Sequence, residues 1–208
     1  IYGAIVAIAQ IDIKKLIAYS SISHMGFVML GISAGAYLSI EGAIIQMINH
    51  GITSGALFML VGFIYDRRHT RKIYDFGGIK SRMPIYAGIF LFTSFSSIGL
   101  PGLNGFVGEF KILMGSFEVF KVLSIISAFG VVLAAIYMLW AYQRMFTGTI
   151  ENEENNTLLD LNYREIISVM PLVILMLLIG IFPGNLENLV SEESEYLSEL
   201  IFYFVGGK

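Results

Sequence analysis

Five stretches of this chain, residues 16–40, 42–65, 83–108, 122–143 and 166–186, contain no Lys, Arg, Asp or Glu. Each exceeds the roughly 20 residues that an α-helix needs to cross a bilayer. Hydrophobic residues make up 56% of the chain and charged residues only 14%. With a mean hydropathy of +0.74, this excludes an ordinary soluble domain and predicts an all-α, polytopic transmembrane helix bundle. Residues 1–11 are apolar but too short to cross alone, so they read as the end of a sixth helix. With no initiating Met and no signal peptide, the expectation is a fragment or a split subunit whose N-terminal half is supplied by a second chain. The lack of cysteine removes disulfides and thiolate metal sites. A net charge of −3 is too small to suggest a nucleic-acid partner.

One of these runs cannot be a single helix. Residues 97–110 hold Gly99, Gly102, Gly105 and Gly108, together with Pro101 and a carboxylate, Glu109. Proline and clustered glycine break helices. A straight helix over residues 83–115 would run about 50 Å against a hydrocarbon core of about 30 Å. Two half-helices joined by an unwound segment near Pro101 are therefore predicted. Such a break survives in hydrocarbon only where protein buries it or water reaches it. An acid at that depth marks an ion or proton path by default, as in the broken helices of transporters. Elsewhere, Asp12 is placed to cap a helix, Asn162 and Glu165 have capping-box spacing, and Pro171 is expected to kink the last span.

Loop charge sets the orientation. The hinges at residues 12–15, 66–82 and 144–164 fall on one face if the helices alternate. That face carries Lys14, Lys15, Arg67, Arg68, Arg71, Lys72, Lys80, Arg82, Arg144 and Arg164. The other face has Lys121 and Lys208, and Lys111 is left in the membrane. The positive-inside rule assigns the basic face to the matrix or cytoplasm. Residues 1–186 then form the bundle, and residues 187–208 form an acidic tail on the intermembrane-space or periplasmic side. The basic loop over residues 66–82 and the acidic loop over 151–156 read as solvated surface.

Three ionisable groups remain inside uncharged spans or at the break: His24, His50 and Glu109. Ser20, Ser23 and His24 share helical spacing on one span. Gln46, Asn49, His50 and Thr53 follow the i, i+3, i+4, i+7 pattern on the next, a polar stripe on one face. Both histidines lie roughly 10–15 Å from their helix starts at 1.5 Å per residue. One helix enters from each side, so the two rings should meet near mid-membrane. Imidazole titrates near ~6.5 and can accept through one nitrogen while donating through the other, which suits a proton relay. The same residues also admit simpler roles. A membrane histidine or an amide stripe can serve as helix–helix glue, and Glu109 could pair with Lys111 or with the broken backbone.

Residues 12–26, Asn49-His50-Gly51, Tyr65-Asp66-Arg67, Gly77-Gly78 and the run from Gly99 to Phe110 together resemble the antiporter-like membrane subunits of respiratory complex I. The resemblance covers nearly the whole chain. Glu109, where subunits 2 and 5 and related antiporters usually carry lysine, favours the subunit 4 branch. It implies the second half of an inverted-repeat fold with a broken helix at Gly99, Pro101, Gly102 and Gly105. It also implies a proton-relay role for His24, His50 and Glu109, with Ser20, Ser23, Gln46, Asn49 and Thr53 supporting the axis. Glu109 would link that axis to the outer aqueous side. The role of Lys111 is left open. The membrane glutamate and buried lysines of the family's first repeat do not occur here, so another chain would supply them.

The implied protein is a proton-translocating membrane-arm subunit of NADH:ubiquinone oxidoreductase, flanked by subunits 2 and 5 and by lipid. FMN, iron–sulfur clusters and quinone would sit in other subunits, since no dinucleotide fingerprint or cluster ligand set occurs here. The implied location is the mitochondrial inner membrane or, alternatively, a bacterial plasma membrane. A subunit of a multisubunit sodium/proton antiporter and a scaffold half without a complete channel are the competing readings.

Overall fold

A computed structural model describes residues 1–206. Helices account for the regular structure: α1 (Tyr2–Ile8), α2 (Ile13–Ala34), α3 (Tyr37–Arg68), α4 (Pro84–Ile98), α5 (Asn104–Val119), α6 (Lys121–Phe146), α7 (Tyr163–Ile181) and α8 (Gly184–Gly206). Among the described residues α2, α3, α6 and α7 are each long and apolar enough to cross a membrane. The halves α4 and α5 make the fifth crossing, and α1 is a short helix packed against α2 and α6. The protein is a multi-pass membrane protein. Apolar side chains on α6, including Val122, Ile125, Phe129 and Val132, point outward and exposed, which suits contact with acyl chains and not with water. Lys208, counted above with the outer face, lies outside the described residues.

Local chemistry explains the boundaries. The Asp12 carboxylate accepts from Lys14 N at 2.8 Å and Lys15 N at 3.2 Å, capping α2. Gly35, at φ +69°, closes that helix. Asn162 and Glu165 form the full capping box of α7. The N-terminus of α4 is capped from a distance: Asp160 Oδ2 accepts from Ile85 N at 2.8 Å and Oδ1 from Tyr86 N at 3.0 Å. Pro171 lies within α7, which continues through it.

One boundary differs from the sequence reading. The uncharged run over residues 16–40 is two elements, because the chain turns at Gly35 and Ala36, where no charge marks a loop. Glu41, which separates two apolar runs in the sequence, therefore belongs to the second turn of α3 and is only 4% exposed. The break in the long apolar stretch falls at residues 99–103, as the proline and glycines require. Gly99 (φ +81°) ends α4, with its N–H on Ser96 O at 3.2 Å and Leu100 N on Phe95 O at 3.1 Å. Pro101 followed by Gly102 (φ +91°), with Leu103 N on Leu100 O at 3.1 Å, makes a type II-like turn. The backbone of α7 packs against one side of this segment: a Cβ on Gly180 would lie 2.3 Å from Gly102 O.

The three basic hinges meet at one end of the bundle. Ile13 N donates to Arg71 O and Ile73 N to Ile11 O, each at 2.9 Å. Gly78 N donates to Thr147 O at 3.0 Å. The apolar core beneath them is built from Ile13, Ile17, Leu57, Leu60, Tyr86, Phe90 and Phe146, all essentially buried. From that end, α2 runs away and α3 returns, so Glu41 lies near the opposite end.

Candidate proton-transfer site

The most intimate packing in the bundle is α3 against α5, and glycines make it possible. A Cβ on Gly108 would lie 2.4 Å from Gln46 Oε1, and one on Gly42 would lie 2.7 Å from Ile112 N. Close approach of small residues brings the polar stripe of α3 against the first turns of α5, just past the break.

His24 on α2, His50 on α3 and Glu109 on α5 converge there. His24 Nδ1 lies 2.9 Å from Glu109 Oε1, and both side chains are 5% exposed. The His24 and His50 rings are tilted at 41° with centroids 5.4 Å apart. On its far side, His24 Nε2 lies 3.3 Å from Ser97 Oγ. The imidazole is therefore in series between a hydroxyl and a carboxylate. With the proton on Nδ1 it donates to Glu109 while Nε2 accepts from Ser97. Gln46 Nε2 donates to the same Glu109 oxygen at 3.3 Å. The other carboxylate oxygen lies against Gly99, where a Cβ would come within 2.7 Å of Oε2. A Cβ on Gly105 would lie 2.0 Å from Ser96 O, so the two ends of the break touch.

Asn49 and Asn104 clasp each other. Asn49 Nδ2 donates to Asn104 O at 2.6 Å, and Asn104 Nδ2 donates to Asn49 O at 3.3 Å. Thr53 Oγ1 lies 3.2 Å from Ser96 Oγ, which also bonds to Asn104 Oδ1. The stripe thus ties the two sides of the break to α3. His24, Gln46, Asn49, His50, Thr53, Ser96, Ser97 and Gly105 enclose a cavity of ≈ 10 Å³. That is about the room one water needs. Gln46 Oε1 and Asn49 Oδ1 are buried without a hydrogen-bond partner, leaving acceptors free at the site.

Ser20, Ser23, Pro101 and Gly102, all named from the sequence, stand apart from this cavity. Ser20 Oγ donates to Ile17 O at 2.7 Å within its own helix. Ser23 lies where α1 crosses α2, with its backbone N 2.7 Å from the Cβ position of Gly3. Pro101 and Gly102 form the exposed tip of the break. Lys111 does not pair with Glu109. Its ammonium is 2.7 Å from Glu41 Oε2 and 2.7 Å from Glu187 Oε1 of α8. The sequence reading gave no role to Ser96, Ser97, Asn104 or Glu41. The signal for the first three was polarity clustered around a break. For Glu41 it was a lone acid between apolar runs.

Comparison with known proteins places the fold in a family. The family described as NADH:quinone oxidoreductase/Mrp antiporter, TM, matches residues 1–136. NADH-quinone oxidoreductase subunit M of Rhodobacter capsulatus is 46% identical over 197 residues, covering 95% of this chain and 38% of that protein. NADH-ubiquinone oxidoreductase chain 4 of Chondrus crispus is 39% identical over 201 residues, covering 97% of this chain and 41% of that one. A chain of respiratory complex I from Thermus thermophilus with bound NADH superposes with a TM-score of 0.89 at 32% identity, covering 96% of this chain and 42% of that one. A chain of the Mrp complex from Dietzia sp. DQ12-45-1b shares the fold, with a TM-score of 0.86 at 17% identity over 98% of this chain and 46% of that one. The chain thus spans about 40% of the length of the curated relatives it matches. On the family match and the shared bundle, this chain belongs to the transmembrane NADH:quinone oxidoreductase/Mrp antiporter family.

Proposed function

We propose that this chain is part of a proton-translocating membrane-arm subunit of NADH:quinone oxidoreductase, and that His50, His24 and Glu109 carry the proton. The buried 2.9 Å contact between His24 and Glu109 carries the reading. Moving a proton from the imidazolium to the carboxylate turns an ion pair into a neutral pair without altering the net charge, so no lone buried charge is left behind. Ser97 and His50 offer the neighbouring stations on the inner side. Glu109, next to the unwound backbone, hands the proton toward the end opposite the basic loops, which the positive-inside rule makes the intermembrane-space or periplasmic side. Gln46, Asn49 and Thr53 hold the break in register. Electron transfer, with its flavin, iron–sulfur clusters and quinone, is assigned to other subunits. This chain responds to that chemistry through charge and conformation. Its neighbours would be the antiporter-like subunits 2 and 5, with a further segment or chain bearing the first repeat. The setting is an energy-coupling membrane, mitochondrial or bacterial.

Within that shared family, the relatives named as subunit M and chain 4, 39–46% identical, favour this reading over a sodium/proton antiporter, for which the solved-structure likeness is one of fold alone. The test is NADH-driven proton pumping per electron in assembled complexes bearing Glu109→Gln or His24→Ala. Pumping is expected to fall severalfold in each while the other subunits remain bound. Unchanged pumping in both variants would remove the relay role.

A further inference from the structure

Beyond Glu109, the molecule holds a second buried titratable group that the relay does not use. Glu41 of α3, Lys111 of α5 and Glu187 of α8 meet around one ammonium, with both contacts at 2.7 Å. The side chain of Glu41 is 5% exposed, that of Lys111 17% and that of Glu187 28%. The cluster therefore grades from the protein interior to the surface. It contains two acids against one base. With both acids ionised it carries one net negative charge, and one added proton brings it to zero. Lys111 thus balances only one of the two carboxylates it touches.

The relay and the cluster lie along the same pair of helices, α3 and α5. Gln46 lies on α3 between His50 and Glu41. Its amide nitrogen contacts Glu109 at 3.3 Å, while its Oε1 is buried with no partner. One turn further along α3, Gly42 lets Lys111 approach: a Cβ there would lie 2.8 Å from Lys111 Cβ. The α3–α5 seam thus carries the Gln46–Glu109 contact at one level and the Glu41–Lys111 contact about one turn further out. Tyr37 and Glu195 are the other titratable groups near its outer edge.

We infer that the Glu41–Lys111–Glu187 cluster is the outlet station for protons leaving Glu109, with Glu41 as the inner acceptor and Glu187 as the group that delivers to the aqueous surface. This rests on the relay reading above. The proton leaves the Glu109 carboxyl, adds to a Glu41 carboxylate oxygen, and passes to Glu187 and then to solvent, restoring each carboxylate in turn. Lys111 is a positioning residue. It holds the two carboxylates together and ties the first turn of α8 over the seam.

The experiment is Glu41→Gln in the full-length subunit within the assembled complex, scored as protons released per NADH oxidised, alongside Glu109→Gln and Glu41→Asp. Glutamine keeps the size and an acceptor for Lys111 but cannot carry the proton. The expected result is a severalfold loss of pumping with Glu41→Gln while assembly and thermal stability stay at wild-type level, which a purely structural clasp would not produce, and partial recovery with Glu41→Asp. Normal pumping with Glu41→Gln, where Glu109→Gln abolishes it, overturns the outlet and leaves the relay standing. Normal pumping in both overturns the relay itself. Should Glu41→Gln block assembly, Glu187→Gln at the more exposed carboxylate decides. Reduced pumping upholds the outlet and unchanged pumping overturns it.

Discussion

Gly99 meets two demands that no other residue type satisfies together. Its φ of +81° closes α4, and its missing side chain leaves room for the Glu109 carboxylate, whose Oε2 would lie 2.7 Å from any Cβ. Gly99→Ala is expected to introduce about 1–3 kcal/mol of backbone strain and to push the carboxylate away from His24. Thermal unfolding of the purified complex should show the destabilisation, with pumping reduced in parallel. Gly88→Ala on the same crossing meets nothing within 4 Å. It is expected to be neutral or to stabilise α4 by up to about 1 kcal/mol. If the two variants behave alike, the special role of Gly99 fails. At this scale His24, His50 and Glu109 were legible because an ionisable group in an uncharged run must be accounted for. Glu41 was not, because it sits at the boundary of two such runs and reads as the loop between them. Asn104 was equally hidden, since a polar residue in a glycine-rich segment looks like turn chemistry until its amide is seen against Asn49.

Helix existence was legible from apolar length and from the caps at Asp12 and Asn162, but helix pairing was not. The sequence contains no mark that α3 and α5 make the tightest contact. That follows from Gly42, Gly108 and Gly115 falling on facing surfaces, a match visible only once both helices are placed. At the outer end of the seam, a Cβ on Gly115 would lie 2.4 Å from Ser39 N and 2.9 Å from Ser39 Cα. These are backbone-linked atoms that cannot swing aside. Gly115→Ala must therefore move one helix relative to the other, at a cost of about 1–3 kcal/mol for overpacking. The expected outcome is a lower melting temperature and, because the same seam sets Gln46 against Glu109, weaker proton transfer. Gly62→Ala on α3 faces open space in this chain and serves as the comparison. Equal stability of the two would show that the seam tolerates separation.

Over the whole molecule, charge is segregated by depth. The His24–Glu109 pair lies between the two ends, the Lys111 cluster lies toward one of them, and the other is laced together by arginines. Arg67, at the end of α3, uses all five of its N–H donors. Nη1 and Nη2 each reach a Glu165 oxygen at 2.6 Å, Nε reaches Leu159 O at 2.9 Å, Nη2 reaches Asp160 O at 3.2 Å, and Nη1 reaches Phe63 O at 2.9 Å. The same Glu165 completes the cap of α7, and Asp160 caps α4. One guanidinium thus joins the ends of three helices. Positive loop charge in the sequence predicted which face these residues share, yet it read them as solvated, because a basic run alone does not show which of its members find partners. Arg67→Lys keeps the charge but has three donors and no planar fork. At least two of the five hydrogen bonds must go unmade, each worth about 1.5–3 kcal/mol when a charged group is involved. The expected result is a clear loss of thermal stability in the detergent-solubilised complex, with Arg67→Lys nearly as damaging as Arg67→Ala. Recovery of wild-type stability by lysine would mean that charge alone holds this end, and that the fork geometry linking α3, α4 and α7 contributes nothing.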